Sequence, residues 1–274
     1  MSVAVDRGFQ RIGSGLIHFR EAGIAHDAPP LVMIHGGPGS SAGLVPIIAA
    51  LSQHRHVIAP DLPGQGDSDP LLVDRPSIVS YAEALLAFLD ARGIDRFDLY
   101  GHHSGAQIAC ELSIARPAAV RRLVLDGIAL FSPEQRREFA LRYAPPMVPQ
   151  ADGAHLLWAW NFARNLTRFF PHYERDQKFR LSPETILPSA AVTGIAIDLL
   201  KVWATYHLLY EAAFTHSTAD RLPHVLVPTV VFAINGDPLA EYAIRVADLL
   251  PESRTIELSR EQRAARILEF LSQS

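Results

Sequence analysis

A single cysteine, two lysines, no block of like charge and no long apolar run mark this 274-residue chain by what it does without. The lone Cys110 excludes an internal disulfide and suits a reducing cytoplasm. A formal net charge of −4, spread without clusters, leaves no electrostatic footprint for nucleic acid or an anionic membrane. Lysine stands only at Lys178 and Lys201 while arginine is plentiful, which reads as a bias of base composition rather than a binding surface. Met1 to Gln10 holds Asp6 and Arg7 and no apolar centre, so it does not read as a signal peptide. The apolar stretch from Ile186 to Leu200 is broken by Pro188 and Asp198 and is too short to span a bilayer. No nucleotide-binding fingerprint is present, and no cofactor is expected. His54 and His56 share one face of a strand but have no Cys or carboxylate companion at ligand spacing, so no metal is expected either. The expectation is a cytoplasmic protein that handles a small molecule, with assembly into a homo-oligomer left open.

What is present is an ordinary globular composition, 49% apolar and 20% charged, at a length that fits one large domain or a core with an inserted smaller one. Short β-rich runs alternate with helical patterns, the α/β signature. Strands are expected at Phe9-Ile12, Leu16-Arg20, Leu31-Ile34, Val57-Pro60, Phe97-Tyr100, Leu123-Leu125, Val230-Ile234 and Thr255-Leu258. Helices are expected at Leu44-Leu51, Ser80-Arg92, Gln107-Ala115, Leu239-Leu250 and Gln262-Leu271. Between about Phe131 and Pro223 the strand pattern stops. Helical periodicity takes over there, with many aromatics.

Four motifs stand out, in order along the chain. They are His35-Gly36-Gly37-Pro38-Gly39-Ser40-Ser41, Asp61-Leu62-Pro63-Gly64-Gln65-Gly66-Asp67-Ser68, Leu99-Tyr100-Gly101-His102-His103-Ser104-Gly105-Ala106, and Val227-Pro228-Thr229 through Asn235-Gly236-Asp237-Pro238. Together they resemble the α/β-hydrolase fold family over nearly the full length, the first in the form seen in proline iminopeptidase-like members. The resemblance implies a mostly parallel sheet flanked by helices, with residues 1–130 and 224–274 as the core domain and 131–223 as an inserted helical cap. It also implies a G-x-S-x-G nucleophile elbow at the third motif. The elbow needs nearly bare backbone two residues before and after its centre. Gly101 and Gly105 centre it on His103; centring it on Ser104 would put His102 and Ala106 there. The position of the family's serine is therefore held by a histidine.

By the same resemblance an oxyanion hole would use the backbone N–H of Ser104 and that of Gly37. Asp237 matches the family's acid, and Asp126 is a second candidate. Asp also favours caps and turns, and glycines shape turns without binding anions. The family's catalytic His lies in a loop after the last strand. Here Ser259-Arg260-Glu261-Gln262 follows Leu258 as a capping-box pattern, and no His occurs after His224. The Ser-His-Asp mechanism is excluded. Instead an elbow imidazole can reach into the vacated space toward Asp237, making His103 a general base oriented by Asp237. The helix N-terminus opposes charge on His103 and the carboxylate favours it, so the sign of the sum stays open. The alternative is a decayed site in which His103 fills space. His35 and His102 belong to the motifs and read as structural. Trp203, Tyr206, His207 and Tyr210 share a helical face, which together with Trp158 would form either cap core or an apolar pocket roof over the elbow.

Three functions are compatible with these residues. One is proton-transfer chemistry on a small, largely apolar carbonyl substrate, such as C–C cleavage, isomerisation or ring closure. The second is hydrolysis of an ester, lactone or amide through His-activated water or a transient acyl-imidazole. The third is ligand binding without catalysis.

Overall fold

The computed structural model describes residues 4–24 and 28–273. The reading of Met1 to Gln10 therefore rests in part on residues outside the described ones. Strands β1 (Asp6–Ile12) and β2 (Gly15–Ala22) form an opening antiparallel pair. They are followed by β3 (Leu31–Ile34), β4 (Val57–Pro60), β5 (Phe97–His102), β6 (Val120–Asp126), β7 (Thr229–Ile234) and β8 (Ser253–Leu258). These make one sheet in the order β1-β2-β4-β3-β5-β6-β7-β8, parallel from β4 to β8.

The central strands are apolar throughout because both of their faces are covered. Val32 and Ile34 of β3 enter the core with α2 (Ile78–Ala91) and α3 (Ser104–Ala115), while Leu31 and Met33 enter the opposite one with α1 (Val45–Leu51). From β3 the chain moves outward to β4 and then crosses back to β5, so the strand order reverses between them. At such a switch point the loops leaving the carboxyl ends diverge and open a crevice. The glycine-rich loop after β3 and the turn after β5 both start there.

Between β6 and β7 lie only helices among the regular elements: α4 (Pro133–Arg142), α5 (Ala154–Leu166), α6 (Ser189–Lys201), α7 (Tyr206–Thr215) and the short α8 (Thr218–Arg221). Ser132 starts α4 with a capping box to Gln135 and Pro133 at the first helical position. Phe139, Tyr143, Phe162, Leu199, Tyr206 and Phe214 pack into a core of this segment's own. Leu209, Ala212 and Ala213 of α7 join the main core instead, so α7 has a face in each. Three hydrogen bonds tie the segment to the loops below: Ser40 Oγ to Asp198 Oδ2 (2.7 Å), Lys201 Nζ to Asp67 Oδ1 (2.8 Å) and Thr205 Oγ1 to the Gly64 carbonyl (2.9 Å).

After β7 the expected helix over Leu239-Leu250 begins as a 3-10 turn, Ala240–Tyr242, before α9 (Ala243–Leu249). The last helix, α10 (Arg263–Leu271), follows a 3-10 turn over Arg260–Gln262. Among the described residues no single helix is long and apolar enough to cross a membrane.

Candidate active site

His103 sits between the end of β5 and the first residue of α3 with φ 52° and ψ −118°. It is the one non-glycine residue with positive φ among the described residues. Such a conformation costs about 1–3 kcal/mol and persists only where the surroundings over-determine it. The surroundings do so here. A Cβ on Gly101 would lie 2.5 Å from the Gly105 carbonyl oxygen, and one on Gly105 would lie 2.5 Å from those of Ile34 and His35. Ser104 is an ordinary helical residue at the start of α3.

The His103 ring turns toward the neighbouring loop, where Nε2 lies 2.8 Å from Asp237 Oδ2. Asp237 is held ready for it: its Oδ1 accepts from the Leu239 N–H at 2.8 Å, leaving Oδ2 for the imidazole. Gly127, at φ +72°, presses on the pair, since a Cβ there would come within 2.6 Å of His103 Cδ2 and 3.4 Å of Asp237 Oδ2. Burial pulls the His103 pKa down, but the Asp237 carboxylate, by charge and hydrogen bond, more than restores it and leaves it raised. Burial likewise pushes Asp237 up, and the charge and hydrogen bond of His103 reverse this, holding the carboxyl well below the usual range.

The second acid takes a different partner. Asp126 is fully buried; its Oδ2 accepts from Tyr100 Oη at 2.5 Å and lies 2.9 Å from Arg263 Nε. Its backbone carbonyl accepts from the His103 N–H at 2.9 Å and from His102 Nδ1 at 3.3 Å. Burial raises the Asp126 carboxyl, and Arg263, helped by His102 and Tyr100, brings it back below its ordinary value. The two imidazoles stack, ring centroids 3.9 Å apart.

The expected anion hole is occupied from within. The Gly37 N–H donates to Ser104 Oγ at 3.0 Å, and a Cβ on Gly37 would meet Leu209 Cδ2 at 2.7 Å. The acceptor for that N–H is the hydroxyl at the start of α3, and Leu209 of α7 packs against Gly37. Gly37 is therefore not a free donor as expected. The Ser104 N–H precedes the first intrahelical bond of α3. Ser104 Oγ itself makes no hydrogen bond to an imidazole among the described residues.

Of the two arrangements expected for the aromatics of the insertion, core or pocket roof, most of the rings take the first. Tyr206 is fully buried with its hydroxyl on the Pro145 carbonyl, Tyr210 stacks on Phe214, and Trp158 packs on Phe162 and Tyr206. His207 and Tyr210 line a cavity of about 380 Å³ with Arg75 and Phe139, and Trp203 lines one of about 450 Å³ with Gly64 and Lys201. A third cavity, about 860 Å³, lies between Arg136, His216 and Tyr242. His103 lines none of the three. Tyr206 and Tyr210 are core packing, because burying large rings against one another is the strongest apolar gain open to a helical insertion, whereas Trp203 is exposed in the turn between α6 and α7 and shares no helical face with them.

Other candidate ligands are engaged structurally. Leu62 N–H donates to His35 Nε2 at 2.9 Å, so His35 carries its proton on Nδ1 and gives it to the Gly36 carbonyl, joining the loops after β3 and β4. His18, Asp61 and Asp67 bring potential metal ligands together, but His18 Nδ1 already meets Asp61 Oδ2 at 2.8 Å. Asp61 also accepts from the Ser41 and Asp67 N–H groups.

After β8 the chain turns at once into the 3-10 turn through a Ser259–Gln262 capping box, and no imidazole enters the site from this side. Arg263 does instead, with its side chain 15% exposed. Sequence reasoning missed Arg263, Gly127 and the partnership of His102. The one available signal was an arginine one residue past the capping box, level with an aspartate at the end of a neighbouring strand.

Comparison with known proteins agrees with this architecture. The sequence profile of the alpha/beta hydrolase fold family matches residues 29–262. A Shigella flexneri protein named as a carbamate hydrolase, RutD, is 35% identical over 197 residues, covering 72% of this chain and 70% of that protein. The one of the same name from Cronobacter sakazakii (strain ATCC BAA-894) is 27% identical over 230 residues, covering 83% and 81%. Among solved structures, an enol-lactonase from Burkholderia xenovorans LB400 superposes with TM-score 0.74 at 18% identity, over 97% of this chain and 100% of that one. Epoxide hydrolase A from Mycobacterium thermoresistibile gives 0.75 at 18%, over 98% of each. At such identities the structures speak for the fold alone. On its motifs, its sheet and these matches, the chain belongs to the α/β-hydrolase fold family.

Proposed function

We propose that this protein hydrolyses a small carbonyl compound of the ester, lactone or carbamate class by acid–base chemistry at His103 and Asp237, with no acyl-serine. The observation that carries the reading is the 2.8 Å contact between His103 Nε2 and Asp237 Oδ2 at a turn held in a strained conformation. An imidazole oriented by a buried carboxylate, able to take or give a proton, is the functional half of a hydrolytic site. Because Nε2 is engaged, Nδ1 is the nitrogen that exchanges protons with substrate or water. Ser104 has no base at its hydroxyl and is a weak nucleophile on its own. The names of the carbamate hydrolase relatives support hydrolysis of a small carbonyl substrate.

The test is turnover of p-nitrophenyl acetate, a valerolactone and ethyl carbamate by the protein and by His103→Ala and Asp237→Asn. Turnover of the lactone or the carbamate, whose leaving groups need a proton, reduced about 10²-fold or more in each variant, supports the reading. Turnover that survives both substitutions sinks it. The occupied Gly37 N–H and the Leu209 side chain packed against it favour a second reading, a ligand-binding protein without catalysis. Thermal stabilisation by a substrate analogue with no turnover of any of the three would select it.

A further inference from the structure

His102 is unused in the reading above, yet its ring lies directly against the reaction centre. Its ring lies on that of His103 at 3.9 Å and 28°, and its side chain is 26% exposed against 33% for His103. The hydrogen bonds assign the protons. His102 Nδ1 faces the Asp126 carbonyl oxygen at 3.3 Å and must be the donor there, which leaves Nε2 with a lone pair. His103 donates from Nε2 to Asp237. Among the described residues neither His102 Nε2 nor His103 Nδ1 has a protein partner, and neither is sealed from solvent.

Two imidazoles at this distance do not both carry charge, since like charges so close exclude one another. The neighbours decide which one does. The groups facing the pair are Asp126 from β6, Asp237 after β7 and Arg263 from α10. Among the described residues the direct ion-pair partner of Asp237 is His103, at 2.8 Å. Asp126 is already matched by Arg263 at 2.9 Å, and its carboxylate Oδ2 lies 3.7 Å from His102 Nδ1. The proton belongs on His103.

We propose that His102 is the second catalytic group of the site, a proton acceptor at Nε2 working beside a proton donor at His103 Nδ1, with Arg263 the positioning residue that keeps the two roles apart. This rests on the reading of His103 and Asp237 as the reaction centre. Both groups are then present at one pH in the states a hydrolysis needs. As the water oxygen bonds to the carbonyl carbon, His102 Nε2 takes one water proton and the carbonyl π pair moves to oxygen. When the C=O re-forms, the bond to the leaving oxygen or nitrogen breaks and that atom takes the Nδ1 proton of His103. The products are the acid and the alcohol or amine. The pair is left with the extra proton on His102, and exchange with solvent returns it to His103. Burial and the His103 charge lower the His102 pKa, in line with this assignment.

The deciding measurement is an NMR titration of the protein with isotope-labelled histidine, assigned with His102→Gln and His103→Gln. The expected result is that His103 protonates first as pH falls, while His102 stays neutral with its proton on Nδ1. Arg263→Gln should raise the His102 titration and leave the His103–Asp237 contact in place. A His102 that protonates first, or that holds its proton on Nε2, overturns the proposal in the unmodified protein, whatever the folding of the variants. Kinetics separates the roles. His102→Gln should lower kcat on p-nitrophenyl acetate and ethyl acetate alike, by about 10²-fold or more. His103→Gln should slow ethyl acetate far more, because p-nitrophenolate leaves without a proton. Equal losses on both esters from His103→Gln refute the division of labour. Turnover of neither ester would count against the hydrolase reading, while the titration still decides the proton assignment.

Discussion

At position 103 a bulky residue occupies backbone space that glycine or a strained nucleophile usually holds, and the imidazole spans a gap that a hydroxymethyl group could not. His103→Ser should therefore not create an ordinary esterase. The new hydroxyl would stand at the elbow without a neighbouring base, because no imidazole enters from the segment after β8. Rapid p-nitrophenyl acetate hydrolysis by this variant would show that His102 or another imidazole can serve it. Ser104 offers a second check. Its hydroxyl accepts from the Gly37 N–H, where a substrate oxygen would otherwise sit. Ser104→Ala removes one net hydrogen bond that substrate must displace, so kcat/KM should rise by about 2- to 10-fold. A fall of that size would mean that Ser104 contributes its own hydroxyl to the chemistry. A serine-directed organophosphonate should leave the intact mass of the unmodified protein unchanged; a stoichiometric adduct at Ser104 would place the nucleophile one residue from where the backbone puts it.

Among the elements, the loop after β6 sets the dyad. Gly127 closes on His103 with φ +72°, and Gly127→Ala would meet both a strained backbone and a 2.6 Å clash with the ring. The expected cost is about 1–3 kcal/mol in denaturant unfolding. Displacing the ring should also separate it from Asp237, so its titration should move down toward the ordinary histidine value. A variant with the full stability loss but an unmoved His103 titration would show that the ring accommodates the methyl group. The elbow and the start of the last helix were legible because both are local devices: glycines at fixed offsets, and a serine three residues before a glutamine. Arg263 was not legible. Its partner Asp126 lies at the end of another strand, and only the parallel register of β6 and β7 with the docking of α10 brings the two side chains together.

For the whole molecule, the inserted helical segment carries a buried histidine that links stability to pH. His172 Nε2 donates to the Tyr143 carbonyl at 2.7 Å and packs on Phe162 at 4.3 Å between ring centroids. Burial lowers its pKa to about 4 from the model-peptide value of 6.5. A histidine lowered by folding keeps its full contribution above about pH 6.5 and loses it as pH falls toward 4, when the unfolded chain binds a proton the folded one refuses. The loss amounts to about 3 kcal/mol over that window. Unfolding by urea at pH 7 and at pH 5 should show this decline, and His172→Phe should flatten it while lowering stability at pH 7 through the orphaned Tyr143 carbonyl. An unchanged difference between the two pH values would assign the dependence to other buried histidines, His35 and His216 among them, whose pKa values burial also lowers.

The sequence by itself determined the eight strands, the helical insertion between the sixth and the seventh, and the elbow centred on His103, because each depends on periodicity, glycine sterics or capping chemistry over a few neighbouring residues. It also narrowed the acid to Asp237 or Asp126. Tertiary structure alone decided between them, with Asp237 on His103 and Asp126 taken by Tyr100, His102 and Arg263. It also put Tyr206 and Tyr210 into the core of the helical insertion, left Trp203 exposed, and filled the Gly37 N–H with Ser104. Those outcomes follow from distances between side chains far apart in the chain, and whether an aromatic face roofs a pocket or fills a core depends on what folds against it.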